Sequence, residues 1–367
     1  MGLVASLMLV IACDRDDLLK PTLYNPPVPK PYRIDFPEEF GPPQAFDMNI
    51  TEEGISLGKK LFFDPILSAD GTQSCASCHN QEYGFTDNGL ALSIGIDGLP
   101  GTRNSMPLFN LAWSPTFFWD GRSPSLPNQA LAPVVDPLEM HNTWPNAIEK
   151  LQNHPEYPEL FQFVYGTDEI DSNLVTDAIA QYEMTLISNN STFDKQLRLA
   201  GGDLNRLQFD DPEIYEGFLI FVTEPRQQPT DLPGGDCFHC HQINQGFLLT
   251  TLNQFENNGL DADPDSGLAK VTKQLSDIGK FKTPAVRNLS YTAPYMHDGR
   301  YQTLEQVVNF YSDSVNANSP NIAAIMKKSR GIANGLNLTE DEKRKLIKFL
   351  RSLDDEDFIT DPRHKPE

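Results

Sequence analysis

The feature that most constrains this chain is a five-residue motif, Cys-x-x-Cys-His, that occurs twice. It reads CASCH at residues 75–79 and CFHCH at residues 237–241. This motif attaches c-type haem: both thiols bond to the porphyrin, and the adjacent imidazole ligates the iron. A zinc ribbon usually places its paired cysteines about 15–20 residues apart, whereas these pairs lie in opposite halves of the chain. A thioredoxin-like dithiol needs no histidine and sits in a βαβ context. The sequence therefore predicts two covalently bound haem c groups.

Charge and cysteine content narrow the class of partner. The 367 residues include 29 basic and 51 acidic side chains, which gives a net charge of −22. Phosphate backbones require the opposite sign, so nucleic acid is an unsuitable partner. A basic soluble protein would be attracted to such a surface. Four of the five cysteines lie in the two motifs, which excludes a disulfide framework.

The fifth cysteine, Cys13, ends the hydrophobic stretch MGLVASLMLVIAC. This stretch is shorter than the roughly 20 apolar residues that cross a bilayer. It resembles a bacterial lipoprotein signal, with a degenerate secretory signal or a stray N-terminal thiol as the alternatives. Residues 14–43 follow, with eight prolines between positions 21 and 43, a composition that favours an extended tether. We therefore expect a protein on the periplasmic side that touches a membrane only through a lipid on Cys13.

The rest of the chain is predicted to be mainly α and rich in loops. Capping residues and apolar residues at helical spacing predict helices after Thr51, at Pro145, after Ser172, from Pro212, over 303–311 and after Thr339. Loops rich in Gly, Pro, Asn and Asp separate them, notably 84–110 and 225–236. The chain divides into two helical halves, 44–200 and 201–358, with one haem motif each.

Around these motifs the chain resembles the bacterial dihaem cytochrome c peroxidases, and more closely their MauG-type branch, from about residue 35 to residue 353. The matching segments are GKKLFFDPILS, CASCHNQEYGFTD, GTRNSMPLFN, FFWDGR, QALAPVVDPLEM, FKTPAVRNLSYTAPYMHDG and TLEQVVNFY. The resemblance implies two cytochrome c-like haem domains with the haems near the domain interface. The N-terminal haem would react with peroxide, and the C-terminal haem would transfer electrons.

For the first haem, the resemblance implies a proximal ligand and three distal residues. His79 would ligate the iron. Glu139 would be the distal acid and base, because cleaving peroxide needs a group that moves a proton between the two oxygen atoms. Gln129 and Pro133 would line the same distal pocket.

Two further residues bear on whether this haem is open. Typical peroxidases carry a ligating histidine in the loop after SIG, where this chain has Ile96. The departure implies a first haem that is already open in the oxidised state. His141, two residues after Glu139, is the alternative distal group or ligand.

For the second haem, the resemblance implies proximal ligation by His241 and a tyrosine as far ligand. Tyr311 stands where ordinary members have methionine, and a phenolate ligand lowers the potential of an iron. Met296 is the alternative far ligand. His297 would be a hydrogen-bond partner near a haem propionate, and Trp119 would lie between the haems as an electron relay.

The resemblance also implies a calcium ion between the domains. Asn104 would supply a side-chain oxygen, and Thr292 and Pro294 would supply backbone carbonyls, the hard ligands that Ca²⁺ prefers.

These features predict a peroxidase that reduces hydrogen peroxide with electrons from a small cytochrome c or cupredoxin. A second copy of the chain, as a homodimer, is a further candidate partner. Two alternatives remain open. One is a MauG-type enzyme that oxidises residues of a partner protein, and the other is a dihaem electron-transfer protein without catalysis.

Overall fold

A computed structural model describes residues 28–43, 48–226, 231–243, 254–327 and 335–366. The predicted lipidation site at Cys13 and the first part of the predicted tether lie outside the described residues. Among the helices described, none combines the length and the apolar character needed to cross a bilayer.

The described residues are mainly helical and rich in loops, as the sequence predicts. Two short strands, β1 and β2, form one antiparallel pair in which Phe255 faces Lys282. The elements are α1 (Glu52–Phe63), α2 (Cys75–Cys78), α3 (Leu126–Val135), α4 (Trp144–Gln152), α5 (Tyr157–Tyr165), α6 (Ser172–Glu183), α7 (Thr192–Leu199), α8 (Pro212–Val222), β1 (Phe255–Glu256), α9 (Ala269–Thr272), β2 (Phe281–Lys282), α10 (Leu304–Asp313), α11 (Glu340–Arg351) and α12 (Glu356–Thr360).

Helix starts follow the capping residues in the sequence. Thr51 caps α1 by accepting a hydrogen bond from the Gly54 N–H. Thr339 and Glu342 form the predicted capping box of α11. The helix predicted after Ser172 includes that residue, because Asp171 accepts from the first N–H groups and serves as the cap.

Each half of the molecule is built on one closely packed pair of helices. In the first half α1 packs against α6, and in the second half α8 packs against α11. A glycine permits each contact: a Cβ added at Gly58 would lie 1.8 Å from the Ala178 carbonyl oxygen, and one at Gly217 would lie 2.0 Å from that of Lys345. Only a residue without a side chain fits so close to a facing backbone. The same glycine-mediated packing of two helices therefore occurs in both halves.

One tight turn of the first half has a counterpart in the second half. We call residues 117–123 the first hairpin and residues 295–301 the second hairpin. The distance along the sequence from the first residue of the first hairpin to the first residue of the second is called the repeat offset. Both hairpins contain Asp-Gly-Arg. Phe118 and Met296 occupy the left-handed region, with φ of 67° and 75°, and each accepts a backbone hydrogen bond at 3.1 Å from the glycine three residues later.

The two hairpins bind crosswise to the opposite half. The Lys282 N–H donates to the Trp119 carbonyl at 2.8 Å, and the Asn104 N–H donates to the His297 carbonyl at 2.9 Å. The repeat offset separates Lys282 from Asn104, and it also separates His297 from Trp119. The two hydrogen bonds therefore join equivalent atoms of the two halves, so that exchanging the halves would leave this contact approximately unchanged.

The chain ends also join the halves. The Gln81 side-chain amide donates to the carbonyls of Phe358 and Asp361, at 3.0 and 2.9 Å, so the C-terminal segment returns to the first half. Arg287 is fully buried and forms two hydrogen bonds with Asp194, at 2.8 and 2.6 Å.

The last part of the predicted tether packs on the body of the protein instead of extending from it. Pro31 pairs with Thr51, and Phe40 is only 1% exposed. The Phe40 ring lies edge-on to Trp113 at 5.2 Å, with the Arg287 guanidinium 4.6 Å from its centre. Burial of Phe40 explains why this segment does not act as a spacer.

We predict that Gly217→Ala destabilises the protein by about 1–3 kcal/mol, because the new methyl group collides with the α11 backbone. The same change at an unconstrained helix position would stabilise by roughly 0.5–1 kcal/mol. Denaturant midpoints of the haem-loaded protein measure the difference. Gly101→Ala, at a loop position, is the control for the added methyl group alone, since its nearest non-neighbouring atom would lie 3.6 Å away. An unchanged midpoint for Gly217→Ala would contradict the packing.

Candidate functional site

Each Cys-x-x-Cys-His motif lines a cavity of its own. Cys75, Cys78 and His79 line a smaller cavity in the first half, while the second motif lines a larger one. Because the two cysteine pairs open into different cavities, they cannot form one zinc site.

The four thiols are partly buried and neutral. Burial raises the pKa of Cys78 and Cys237 to about 12 and that of Cys240 to about 11, and it also raises the pKa of Cys75. Redox-active dithiols have lowered pKa values instead. This arrangement argues against a thioredoxin-like pair and fits thiols positioned for bonding to a porphyrin.

Both histidines are oriented through one ring nitrogen. His79 Nδ1 lies 2.7 Å from the Phe85 carbonyl oxygen, and His241 Nδ1 lies 2.9 Å from that of Pro284. A carbonyl accepts, so each Nδ1 carries the proton and each Nε2 keeps its lone pair for a metal. Burial lowers the pKa of both imidazoles, that of His241 to about 4. Thiols, imidazoles and largely apolar walls together fit one covalently attached haem in each cavity.

The predicted distal residues of the first haem meet in the first cavity. Ser125 caps α3, which carries Gln129 and Pro133 one turn apart on the same face. A turn follows, closed by the Glu139 N–H donating to the Asp136 carbonyl at 3.0 Å. Gln129, Pro133 and Glu139 line the cavity together with His79.

Glu139 has a pKa suited to moving protons at neutral pH. Burial raises the pKa of its carboxyl to about 7; the Asp136 charge adds to the rise, and Arg122 opposes it. A group whose pKa lies near the working pH can both accept and donate a proton.

The structure separates Ile96 and His141 from this arrangement. The Ile96 N–H donates to the Glu139 carbonyl at 3.0 Å, so its loop supports the backbone that carries the distal carboxyl. His141 is about half exposed, and its Nδ1 lies 2.5 Å from an Asp97 carboxyl oxygen. Neither side chain belongs to the described lining of the first cavity. The geometry therefore favours Glu139 over His141 as distal group.

Glu183 is a second carboxyl in the first cavity that the sequence reasoning missed. It is 4% exposed, and its Oε2 has no hydrogen-bond partner in the described structure. Burial raises its pKa to about 8. The signal was present in the sequence, since Glu183 lies four residues after Ile179 on the apolar stripe of α6.

Two candidate iron ligands face the second cavity. The Asn258 amide donates to the Tyr311 hydroxyl at 3.1 Å and lies 3.6 Å from the Met296 sulfur. Burial raises the pKa of Tyr311 to about 12, while the Asn258 hydrogen bond opposes the rise.

The internal repeat relates the two distal walls. The N-caps Ser125 of α3 and Thr303 of α10 are separated by the repeat offset, as the two hairpins are. Tyr311 on α10 is thereby the counterpart of Pro133 on α3, whereas Met296 is the counterpart of Phe118 in the first hairpin.

Trp119 lines the second cavity, and hydrogen bonds link its indole to residues next to the first haem motif. Its indole N–H donates to the Asn104 carbonyl at 2.8 Å. Ser105 follows Asn104 in the chain. Its hydroxyl donates to the Cys78 carbonyl at 3.1 Å and lies 3.4 Å from His79 Nδ1. A short path of contacts thus connects the tryptophan to the first motif.

His297 lies on the wall of the second cavity and is held by ring stacking. Its ring stacks on Phe281 with a centroid separation of 3.7 Å and an angle of 10°. Burial lowers its pKa to about 4.

The three predicted calcium ligands lie on the wall of the second cavity. Asn104, Thr292 and Pro294 all line it. The Asn104 side-chain nitrogen donates to the carbonyls of Leu90 and Ala91, at 3.3 and 3.1 Å, which leaves Oδ1 on the other side of the amide. Amide and carbonyl oxygens are the donor type that a hard cation prefers, and the calcium site stays a prediction.

Among the described residues, one further group of metal-ligating types occurs beside the second motif. Glu224, Asp236 and His239 bring a ligand atom each within 4.8 Å of one another. His239 Nδ1 hydrogen-bonds to Asp236, and its Nε2 lies 3.7 Å from Glu224. Two different ring nitrogens of His239 therefore face the two carboxyls.

Comparison with known proteins identifies relatives over nearly the whole chain. The family model for di-haem cytochrome c peroxidase matches residues 52–201. The methylamine utilization protein MauG of Methylorubrum extorquens is 35% identical, with 88% of this chain and 83% of that protein covered. Cytochrome c551 peroxidase of Nitrosomonas europaea is 35% identical, with 82% and 80% covered.

Solved structures resemble the chain as well. A MauG-like protein associated with microbial copper homeostasis superposes with a TM-score of 0.75 at 30% identity, over 91% of this chain and 99% of that one. The diheme peroxidase BthA from Burkholderia thailandensis has a TM-score of 0.70 at 21% identity, over 91% and 96%, and shares the fold.

Proposed function

The chain belongs to the dihaem cytochrome c peroxidase family, and on that premise we propose that it reduces hydrogen peroxide to water with electrons from a small redox protein. One peroxide, two electrons and two protons give two waters. The observation that carries the proposal is the partly buried carboxyl of Glu139, which has a pKa of about 7 and lines the same cavity as the His79 imidazole. A purely electron-transferring protein has no use for such a group.

Two haem c groups would supply the redox chemistry when bound. Cys75 and Cys78 would hold the first, with His79 Nε2 as iron ligand. The corresponding residues for the second are Cys237, Cys240 and His241. The hydrogen bonds at the two Nδ1 atoms fix the rings in the orientation that ligation needs.

Glu139 would move the protons of the substrate. As a carboxylate it accepts the proton of one peroxide oxygen, and as an acid it returns that proton to the departing oxygen. Gln129 would orient the substrate through its amide, and Pro133 would exclude water from the same wall. Glu183 would keep a second proton within the cavity, since burial holds its carboxyl neutral at pH 7.

We propose that His79 alone would ligate the first haem iron, whereas Tyr311 would ligate the second haem iron together with His241. Ile96 offers no ligand atom at the position that typically carries a histidine. Tyr311 is supported by the repeat, because α10 covers the second cavity as α3 covers the first. A phenolate ligand would stabilise oxidised iron. Electrons would pass between the sites by way of Trp119.

A MauG-type reaction, oxidation of residues in a partner protein, is the second candidate. The combination of Ile96 and Tyr311 favours it, as do the relatives named MauG. The electron source distinguishes the two candidates: rapid peroxide-dependent oxidation of ferrocytochrome c supports the peroxidase, and slow turnover with a covalently changed partner protein supports the alternative.

Several broader features complete the proposal. The two haem domains would span 44–200 and 201–358. The charge of −22 would favour a basic donor such as a cytochrome c or a cupredoxin. Lipidation at Cys13 would keep the enzyme on the periplasmic side of a membrane, and a homodimer is compatible with this arrangement.

We predict that Glu139→Gln lowers kcat/KM for peroxide by about 10²–10⁴-fold, because the amide cannot accept the proton. In the unchanged enzyme, kcat/KM should rise as the pH increases through about 7, where the Glu139 carboxyl ionises. Stopped-flow measurement of the first turnover over a pH series tests both effects. His141→Ala is the control and should behave like the unchanged enzyme; a loss in that variant with full activity in Glu139→Gln would refute the assignment.

We predict that Tyr311→Phe changes the ferric absorption spectrum of the second haem and raises its reduction potential, since an anionic oxygen ligand is lost. Met296→Leu removes the alternative ligand with little change in volume and should leave both properties unaltered. Spectroelectrochemical titration measures them. A potential that moves only in Met296→Leu would assign the ligand to the thioether instead.

A further inference from the structure

The internal repeat assigns a counterpart to each residue of the predicted calcium site. The repeat offset relates Asn104 to Lys282. The same offset, taken in the opposite direction, relates Thr292 to Ser114 and Pro294 to Thr116. The crosswise backbone hydrogen bonds at Asn104 and Lys282, 2.9 and 2.8 Å, show that the relation holds in space as well as in sequence.

The counterpart position contains a cation. The Lys282 side-chain nitrogen donates to the Thr116 carbonyl, which is the atom equivalent to the predicted Pro294 ligand. It also donates to the side-chain hydroxyl of Ser114, the residue equivalent to Thr292. The nitrogen also lies 5.5 Å from the centre of the Phe117 ring. Lys282 is 3% exposed, so this positive charge is enclosed by neutral oxygen atoms.

A buried ammonium group needs compensation for its lost hydration, and hydrogen bonds to oxygen provide it. Burial lowers the pKa of Lys282 to about 8, so the group still carries its proton at pH 7. Ser114 and Thr116 thus form a site that accepts a monovalent cation of the chain itself. Asn104, at the equivalent position in the other half, has no charge. The oxygen atoms of the predicted calcium site are therefore suited to a cation from solution.

We propose that the Lys282 ammonium group is a built-in replacement for a second calcium ion, occupying in one half the position that the predicted calcium ion takes in the other. Each cation would hold one hairpin in place. Lys282 would hold the first hairpin through the segment that leads to Trp119, and the calcium ion would hold the second hairpin through the segment that leads to His297. The inference rests on the predicted calcium site and is independent of the peroxidase reaction.

The proposal gives Lys282 a positioning role toward Trp119. The lysine contacts this segment at three places: its backbone N–H bonds to the Trp119 carbonyl, and its ammonium group bonds to two residues just before the hairpin. A neutral side chain of similar length would lose only the ammonium contacts.

The test is the number of calcium ions bound per dihaem protein, measured by isothermal titration calorimetry and elemental analysis after chelator treatment. The unchanged protein should bind one calcium ion. Lys282→Asn restores an amide oxygen at the counterpart position and should bind two. Lys282→Met is the matched control: it removes the charge, supplies no oxygen and should bind one.

The reciprocal variant makes the test independent of how Lys282→Asn folds. Asn104→Lys should place an ammonium group in the first site, so that the folded protein binds no calcium. Calcium binding that stays at one in folded Lys282→Asn, or at one in folded Asn104→Lys, would overturn the proposal. An unchanged protein that reduces peroxide but binds no calcium would also overturn it while leaving the proposed activity intact.

Discussion

The crosswise backbone hydrogen bonds between the two halves are the contact on which the rest of the arrangement depends. The Trp119 carbonyl accepts from Lys282, and the His297 carbonyl accepts from Asn104. Each bond links a hairpin of one half to the segment that follows the haem motif region of the other. Because these segments also line the second cavity, the geometry of the proposed electron path depends on the halves staying in register.

Within this repeated frame, the side chains differ where the proposed roles differ. Pro133 and Tyr311 occupy equivalent places, yet only the phenol can ligate iron. Asn104 and Lys282 are likewise equivalent, and only one of them brings its own charge. A duplicated scaffold with a few exchanged side chains can thus produce one site suited to a substrate and one suited to storing electrons. The exchanged positions lie along the interface and on the distal helices.

Local sequence signals predicted much of this molecule. Thr51 and Thr339 mark helix starts because capping is a contact between near neighbours. The haem motifs were readable for the same reason. Lys282 was not, because its burial depends on residues far away in the chain, whereas Glu183 was indicated by its place on the apolar stripe of α6. The paired Asp-Gly-Arg turns at Asp120 and Asp298 were a readable sign of the repeat, but only the fold gives their crosswise contact.

The proposed reaction requires two unequal iron sites, one that would keep a free position and one that would have protein ligands on both faces. Low-temperature electron paramagnetic resonance of the oxidised, haem-loaded protein measures this inequality directly. We predict one high-spin and one low-spin ferric signal of equal amount. Two low-spin signals would mean that the first site is closed, and two high-spin signals would mean that Tyr311 is not a ligand; either result would contradict the account.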